Sequence, residues 1–491
     1  MKKQHILFLY FFIICCFPID TIAQIIWNDI GHIPQSDQID WTNAGRLPGT
    51  PTVADTVLNV DSYLGSDNNK VQSALAAAKS ATGTVIIYFP ARTYTITSPI
   101  ELNYTDGNNI VFQGDGSNAT ILNFTVGENY PCFKIAGTLT GSPTTLNSDI
   151  VKGSKNLSAS SFSSYSDGNW IRLCEPNNPH VHESWAINDK VVGQITQLET
   201  VYSTTATMKD EASKLYITSY GTWIQRVFPI QNVGIENLKI KRLDTGEAPD
   251  GSNIYIKYAV NCWIKGVESD NTCRHHVMID WSSHVEVSGC YFYEAESYGD
   301  GGYGYGVLLE RSSTNCLIEN NIFRKLRHAM MVQAGANCNV FEFNYSRDHY
   351  WTKWGIEWSS EPWDPPFVDV WPGGDISIHG NYPYANLFEY NYIERIIADG
   401  YHGANGPYQA FIRNLPYDDH SSFGRGWIIL HDSPNSSVLG NKGGDNNNPP
   451  INTSGNTSLS VDLYGFEGGY EGAERIHNYY WSYGGWDDAL F

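Results

Sequence analysis

From residue 230 onward, aliphatic positions recur in a fixed local setting. A small residue stands two positions before each, and an aliphatic or aromatic residue usually stands five after. With the central aliphatic as reference, the series runs Ile235, Ile264, Val287, Ile318, Val340, Leu387 and Leu439. The residues two before are Val233, Cys262, Val285, Cys316, Cys338, Ala385 and Ser437, and those five after include Ile240, Phe292, Phe323, Tyr345 and Tyr392. The references fall about 25 residues apart, or about twice that, which is the range of stacked structural repeats. Inside each unit the alternation has period two, so the units are strands. Asn-rich turn signals accompany them in SSTNCLIENNIF (312–323), AGANCNVFEFNY (334–345) and YANLFEYNYI (384–393). A strand-turn-strand coil whose side chains stack in columns is a parallel β-helix. The pattern therefore predicts an all-β, single-stranded parallel β-helix solenoid with Ile264, Val287, Ile318 and Val340 pointing inward. The cysteines in these columns read as interior packing, because a small apolar thiol fills such a column well.

A solenoid needs its open end covered, and VQSALAAAKSA (71–81) supplies apolar residues at helical spacing for an N-terminal capping helix. TVIIYFPARTYTITSPIEL (84–102) follows as two strands broken at Pro90-Ala91. This helix, strand, Phe-Pro-Ala turn and Thr-Tyr-x-Ile, with NNIVFQGDGSNATILNF (108–124) and its Gly-Asp-Gly turn next, resembles the N-terminal segment of the pectate-lyase and polygalacturonase β-helix superfamily. The resemblance covers about residues 55–125 and implies a right-handed parallel β-helix and action on polysaccharide, without identifying the reaction. The catalytic set of the polygalacturonases is missing: Asp418-Asp419 and Tyr401-His402-Gly403 are isolated echoes. The Arg-x-Pro-x-x-Arg motif of the classical pectate lyases is missing too, although VMIDWS (277–282) is similar to their Trp-Ile-Asp-His stretch. No named catalytic residue carries over.

Composition narrows the function. The 491 residues carry a net charge of −21, from 52 acidic and 31 basic residues, which repels nucleic acid and anionic lipid. Gly (45), Trp (15) and Tyr (31) are abundant and only 17% of residues are charged, a mixture that suits turn-rich β structure with aromatic surfaces. Residues 1–23 have a basic start, the apolar run ILFLYFFII and a small-residue end at Ala23, the layout of a Sec signal peptide. That layout predicts secretion to an extracellular or periplasmic space, and the run is too short to span a membrane. Two of the nine cysteines, Cys15 and Cys16, fall in the leader. An odd number remains, too sparse for a disulfide scaffold. Residues 24–491 read as a single β-helix domain, with a low-complexity stretch at 440–460 and an aromatic C-terminal cap at 461–491.

The repeat register stacks CRHHVMID, YGYGVLLE and LRHAMMVQ, so Arg274-His275, Gly304-Tyr305 and Arg327-His328 should stand side by side at the start of one sheet. A basic cluster in an acidic protein fits β-elimination at a uronic acid. Arg274 and Arg327 would neutralise the carboxylate, His275 or His328 would take the C5 proton, and Tyr305 would protonate the leaving oxygen. His276 rivals His275. Calcium is an alternative neutraliser, though no calcium-loop spacing is present and the metal stays unknown. Hydrolysis would instead use two carboxylates; Asp280 and Glu310 occupy equivalent positions on stacked coils, and Asp369 and Asp375 lie further on. The insertion at 348–383 holds Trp351, Trp354, Trp358, Trp363 and Trp371. Its rings either stack on sugar faces or bury the loop, and Trp354, Trp371, His379, Arg347 and Lys353 are the expected substrate-binding residues. The leading expectation is a secreted lyase cleaving an acidic, uronate-containing glycan. A glycoside hydrolase and a non-catalytic glycan-binding or adhesin β-helix are the alternatives.

Overall fold

The computed structural model describes residues 36–50, 53–246, 248–298, 302–348, 374–416, 428–430, 433–439, 441 and 451–452. The helix Asp67–Ser80 opens the architecture, with the Ser66 hydroxyl accepting from the Asn69 N–H. Its buried face, Val71, Ala74, Leu75 and Ala78, packs against the first strands and covers the end of the core. Beyond it, the chain winds through three parallel sheets of 11, 9 and 10 strands. Thr56–Asn59, Val85–Phe89 and Ile110–Gly114 begin the first sheet, Thr93–Ile96 and Ile121–Phe124 the second, and Ile100–Asn103 and Phe133–Ala136 the third.

The coil is then interrupted. Residues 138–228 form a six-stranded antiparallel sheet with its own core of Leu146, Phe162, Ile171, Leu173, Met208, Tyr216 and Ile224. The strand Gly234–Glu236 resumes pairing with Ile110–Gly114, so this lobe projects from one corner without breaking the register. Nothing in the alternation of residues 24–491 signals such a lobe, because its first strand, TLTGSPTT, has no apolar face to read.

Inside the coils, Ile87, Phe112, Ile235, Ile264, Val287, Ile318, Phe341, Phe388, Phe411 and Val438 form one inward column. Phe341, Phe388 and Phe411 stack with centroids 5.1 and 5.3 Å apart. Here the expected register is corrected by one residue. Val340 and Leu387 pair in line with Leu317, one step before the inward column, Leu439 pairs with Ile412, one step after it, and all three face the opposite way. They are buried outside the coil, in a second cluster with Ile39, Trp41, Val191 and Val192.

The slip has a physical cause. Asn339, not Cys338, stands in line with Cys316: its side-chain oxygen accepts from the Cys316 N–H at 2.9 Å and its amide donates to Asn386, which donates to Gln409. A second ladder runs through Asn321, Asn344, Asn391, Asn414 and Asn441. These amides satisfy the backbone at each corner, where small residues do so in the earlier coils. Cys338 instead takes a left-handed corner conformation, φ 53°, in line with Asn315 and Ala385. The seven cysteines from Cys132 to Cys338 are buried and free, and burial pushes the thiols of Cys262 and Cys316 up to about 12.

An N-terminal strap covers the outer cluster. Trp41 donates to the Ala385 carbonyl at 2.7 Å, Gly45 N–H to Asn315 O at 3.0 Å, and Arg46 pairs with Glu286 at 2.9 Å. Among the described residues no helix is long and apolar enough to cross a membrane.

Candidate functional site

The outer face of the third sheet lies between the antiparallel lobe on one side and the turns that enter from the second sheet on the other, and its central strands are buried along their length. Its strands His275–Asp280, Tyr305–Glu310 and His328–Val332 begin with three register partners, His275, Tyr305 and His328. Their rings form a row with centroids 5.3 and 5.0 Å apart, continued by His379 at 6.2 Å. The next residue of each strand turns inward. His276 packs on Phe292 and bonds the Ser269 hydroxyl at 2.7 Å. A Cβ on Gly306 would meet the Phe323 ring at 2.7 Å. His276 therefore belongs to the interior, where burial brings its pKa down to about 3.

The residues of this rim are tied to backbone. Arg274 donates to the carbonyls of Pro249 and, at 3.2 Å, Gly302. His275 Nδ1 meets the Ser252 hydroxyl at 3.0 Å, Tyr305 OH accepts from Gly302 N–H at 3.0 Å, and His328 Nδ1 donates to Gly374 O at 2.9 Å. Burial first, then the neighbouring arginine charges, hold both His275 and His328 well below the usual imidazole range. Arg327 is half-buried beside them.

The far edge of the same face is acidic. Asp280 and Glu310 are register partners, both buried. Tyr255 OH donates to Asp280 Oδ2 at 3.0 Å. Arg311, turned by a φ of 52°, reaches both: its Nη1 lies 3.4 Å from each Asp280 oxygen and contacts Glu310 Oε1. Its Nε bonds Asp189 of the lobe at 2.8 Å, and its guanidinium lies between Trp185 and Trp281, 5.0 and 5.4 Å from the ring centres. Burial pushes the Asp280 carboxyl up, and the Arg311 charge works against it.

Further along this edge, His379 Nδ1 bonds Asp399 Oδ2 at 2.7 Å and His402 Nδ1 bonds Glu183 Oε1 of the lobe at 3.2 Å. The two imidazoles meet edge to face at 4.5 Å. Among the described residues no cluster of three or more His, Cys, Asp or Glu is disposed to hold a metal ion.

The family model for the right handed beta helix region matches residues 200–346. The chain is a right-handed parallel β-helix protein. No curated protein matches it. Among solved structures, the Gp54 tailspike of Acinetobacter baumannii bacteriophage AP22, in complex with A. baumannii capsular saccharide, has a TM-score of 0.56 at 15% identity, covering 80% of this chain and 61% of that one. The gp49 tailspike of Pseudomonas phage LKA1 gives 0.43 at 16% identity, covering 76% and 57%. The β-helix protein thus spans about six-tenths of the length of these tailspikes, and the likeness is one of fold.

Of the residues singled out in the sequence, this β-helix protein brings Arg274, His275, Tyr305, Arg327, His328, Asp280, Glu310 and His379 to one face. Arg347 stands apart, on the second sheet beside Asp348 at 3.6 Å. Asp375 is interior, accepting from the Ser346 hydroxyl and Glu394 N–H. Trp354, Trp371 and Lys353, like Asp369, the leader at 1–23 and the cap at 461–491, lie outside the described residues. Tyr255, Arg311, Asp399, His402 and Glu183 were not read as site residues. Only the Tyr401-His402-Gly403 echo and the position of Arg311 next to Glu310 pointed toward them.

Proposed function

We propose that this protein hydrolyses glycosidic bonds in a groove over the outer face of the third sheet, with Asp280 and Glu310 as the reacting pair. One observation carries this reading: both carboxyls contact the same nitrogen, Arg311 Nη1. Two oxygens bonded to one nitrogen lie no more than roughly 6 Å apart, a limit that admits the ~5–5.5 Å between the carboxyls of retaining glycosidases and excludes the wider spacing of most inverting ones. Burial, which favours the neutral acid, suits Asp280 to give its proton to the leaving oxygen while Glu310, held by Arg311, bonds to the anomeric carbon. Water then cleaves the glycosyl ester with Asp280 as base, restoring both groups.

Elimination at a uronate is the second reading: with the Arg274 guanidinium committed to two carbonyls and that of Arg311 to Asp189, Asp280 and Glu310, the half-buried Arg327 would have to meet the substrate carboxylate. The saccharide held by the AP22 tailspike supports a glycan as the ligand of this fold, and the leader-like layout of residues 1–23 supports an activity outside the cytoplasm. The test is to incubate the protein with neutral and acidic polysaccharides while following reducing ends and the absorbance of unsaturated uronate separately. Hydrolysis gives reducing ends alone. Absorbance would transfer the reaction to the His328 and His379 row, and silence in both channels would leave a binding protein.

A further inference from the structure

The edge that carries Glu310 continues through Gln333, His379 and Asp399 on the next three coils, since Leu309, Val332, Ile378 and Ala398 are register partners. At ~4.8 Å per coil, His379 stands roughly 10 Å from Glu310 along the groove. Three features gather there. His379 and His402 are each anchored through Nδ1 to a carboxylate, and no described side chain bonds either Nε2. Asp399 also accepts from Tyr401 N–H at 3.1 Å, which fixes the turn. Tyr401 is 66% exposed, its ring parallel to His379 within 5°.

We propose that His379, His402 and Tyr401 form a subsite for an uncharged sugar ring. This deepens the hydrolytic reading and rests on its groove. An imidazole whose Nδ1–H is donated to a carboxylate presents a bare Nε2, an acceptor for a hydroxyl. Burial keeps His402 below the usual imidazole range and so neutral. An exposed phenol ring gives the apolar face of a pyranose a place to stack.

The field selects against acidic sugar. Glu183, Asp189, Glu310 and Asp399 line this edge against Lys257 and Arg311, in a chain of net charge −21. A polyuronate would meet like charge along its length, whereas a hydroxyl-rich neutral chain pays no such penalty. The acidic substrate expected from the basic rim therefore gives way to a neutral segment at this end.

The experiment is affinity electrophoresis of the full chain through gels containing neutral polysaccharides (galactan, xylan, mannan, β-glucan) or acidic ones (polygalacturonate, alginate). At least one neutral gel should retard the parent, with little dependence on salt. His379→Gln and His402→Gln should each weaken that retardation at least fivefold, and Tyr401→Ala should weaken it too, at unchanged melting temperature. Retardation by the acidic gels alone, by none of the gels, or by a neutral gel with all three variants equal to the parent would overturn the proposal. Glu310→Gln separates the two ideas: it should bind like the parent and cleave at least about a hundredfold more slowly. Cleavage by that variant at a near-parent rate would sink the hydrolytic pair while leaving the subsite standing on its own retardation data.

Discussion

Asp280 and Glu310 face each other across adjacent strands, and a single nitrogen of Arg311 contacts both carboxyls. Like charges directly opposite one another on a sheet are unfavourable without such a partner. Replacing Glu310 with Gln or Asp280 with Asn should therefore cost little stability, or add some, while turnover falls by roughly 10²- to 10⁴-fold. Reducing-end release and thermal unfolding, measured on the same preparations, check this. Loss of activity matched by a collapse in melting temperature would mark the pair as structural.

Arg311 offers a sharper test of charge against shape. Its fork reaches Asp189, Asp280 and Glu310 while its plane lies between two tryptophan rings. Lys in its place keeps the charge but not the two-point geometry or the stacking. Arg311→Lys should lower activity on the order of tenfold or more. Because the Arg311 charge restrains the burial-raised Asp280 pKa, a weaker partner should also move the alkaline limb of the pH–rate profile, where the general acid loses its proton, upward. An unchanged profile would show that Asp280 does not govern that limb.

The one-residue register slip predicts opposite sensitivities at neighbouring positions. Phe341 stacks between coils in the interior, while Val340 lies in the outer cluster beneath the N-terminal strap. Phe341→Ala should cost about 3–5 kcal/mol, and Ile318→Asp several kcal/mol through an unpaired buried charge. Val340→Ala should cost markedly less than Phe341→Ala. Urea unfolding of the three variants decides it: equal losses at 340 and 341 would contradict this assignment of faces.

How far the sequence spoke depended on which force did the placing. Hydrophobic columns are local and repeat, so Ile235, Ile264, Val287 and Ile318 could be aligned by eye, and with them the rings of His275, Tyr305 and His328 and the carboxyls of Asp280 and Glu310. The alignment failed where a polar device replaced the apolar one. Asn339 does by side-chain hydrogen bonds what Cys316 does by size, and no hydropathy pattern distinguishes it from its neighbour Cys338. The lobe at 138–228 and its contributions to the site, Glu183 and Asp189, were invisible because they reach the groove through tertiary contact over long separations in sequence. His379 was legible as a residue, but its partner Asp399 was not, since they meet across two coils.

A second carboxylate column, on the first sheet, should make the protein lose stability with rising pH. Glu319, Glu342 and Glu389 follow one another on adjacent coils, with side chains ~4.8 Å apart. Burial, and then the charges of Glu389 and Glu319, push Glu342 up to about 7. Burial pushes Glu389 up to about 7 as well, although Arg413 at 3.5 Å opposes it. An unfolded glutamate titrates near 4.5. Between that value and about 7 the unfolded chain has released protons that the folded chain still holds, so the ladder's contribution is full below this window and is lost as pH rises through it. Glu342→Gln removes one of the titrating charges and relieves both neighbours. Discounted for partial solvent screening, its stability relative to the parent should improve by on the order of 1–2 kcal/mol from acid to mildly alkaline pH. Denaturant unfolding of parent and variant at about pH 4, 6 and 8 measures the difference directly. Parallel stability curves for the two proteins across that range would mean that the ladder does not carry its protons into the neutral range.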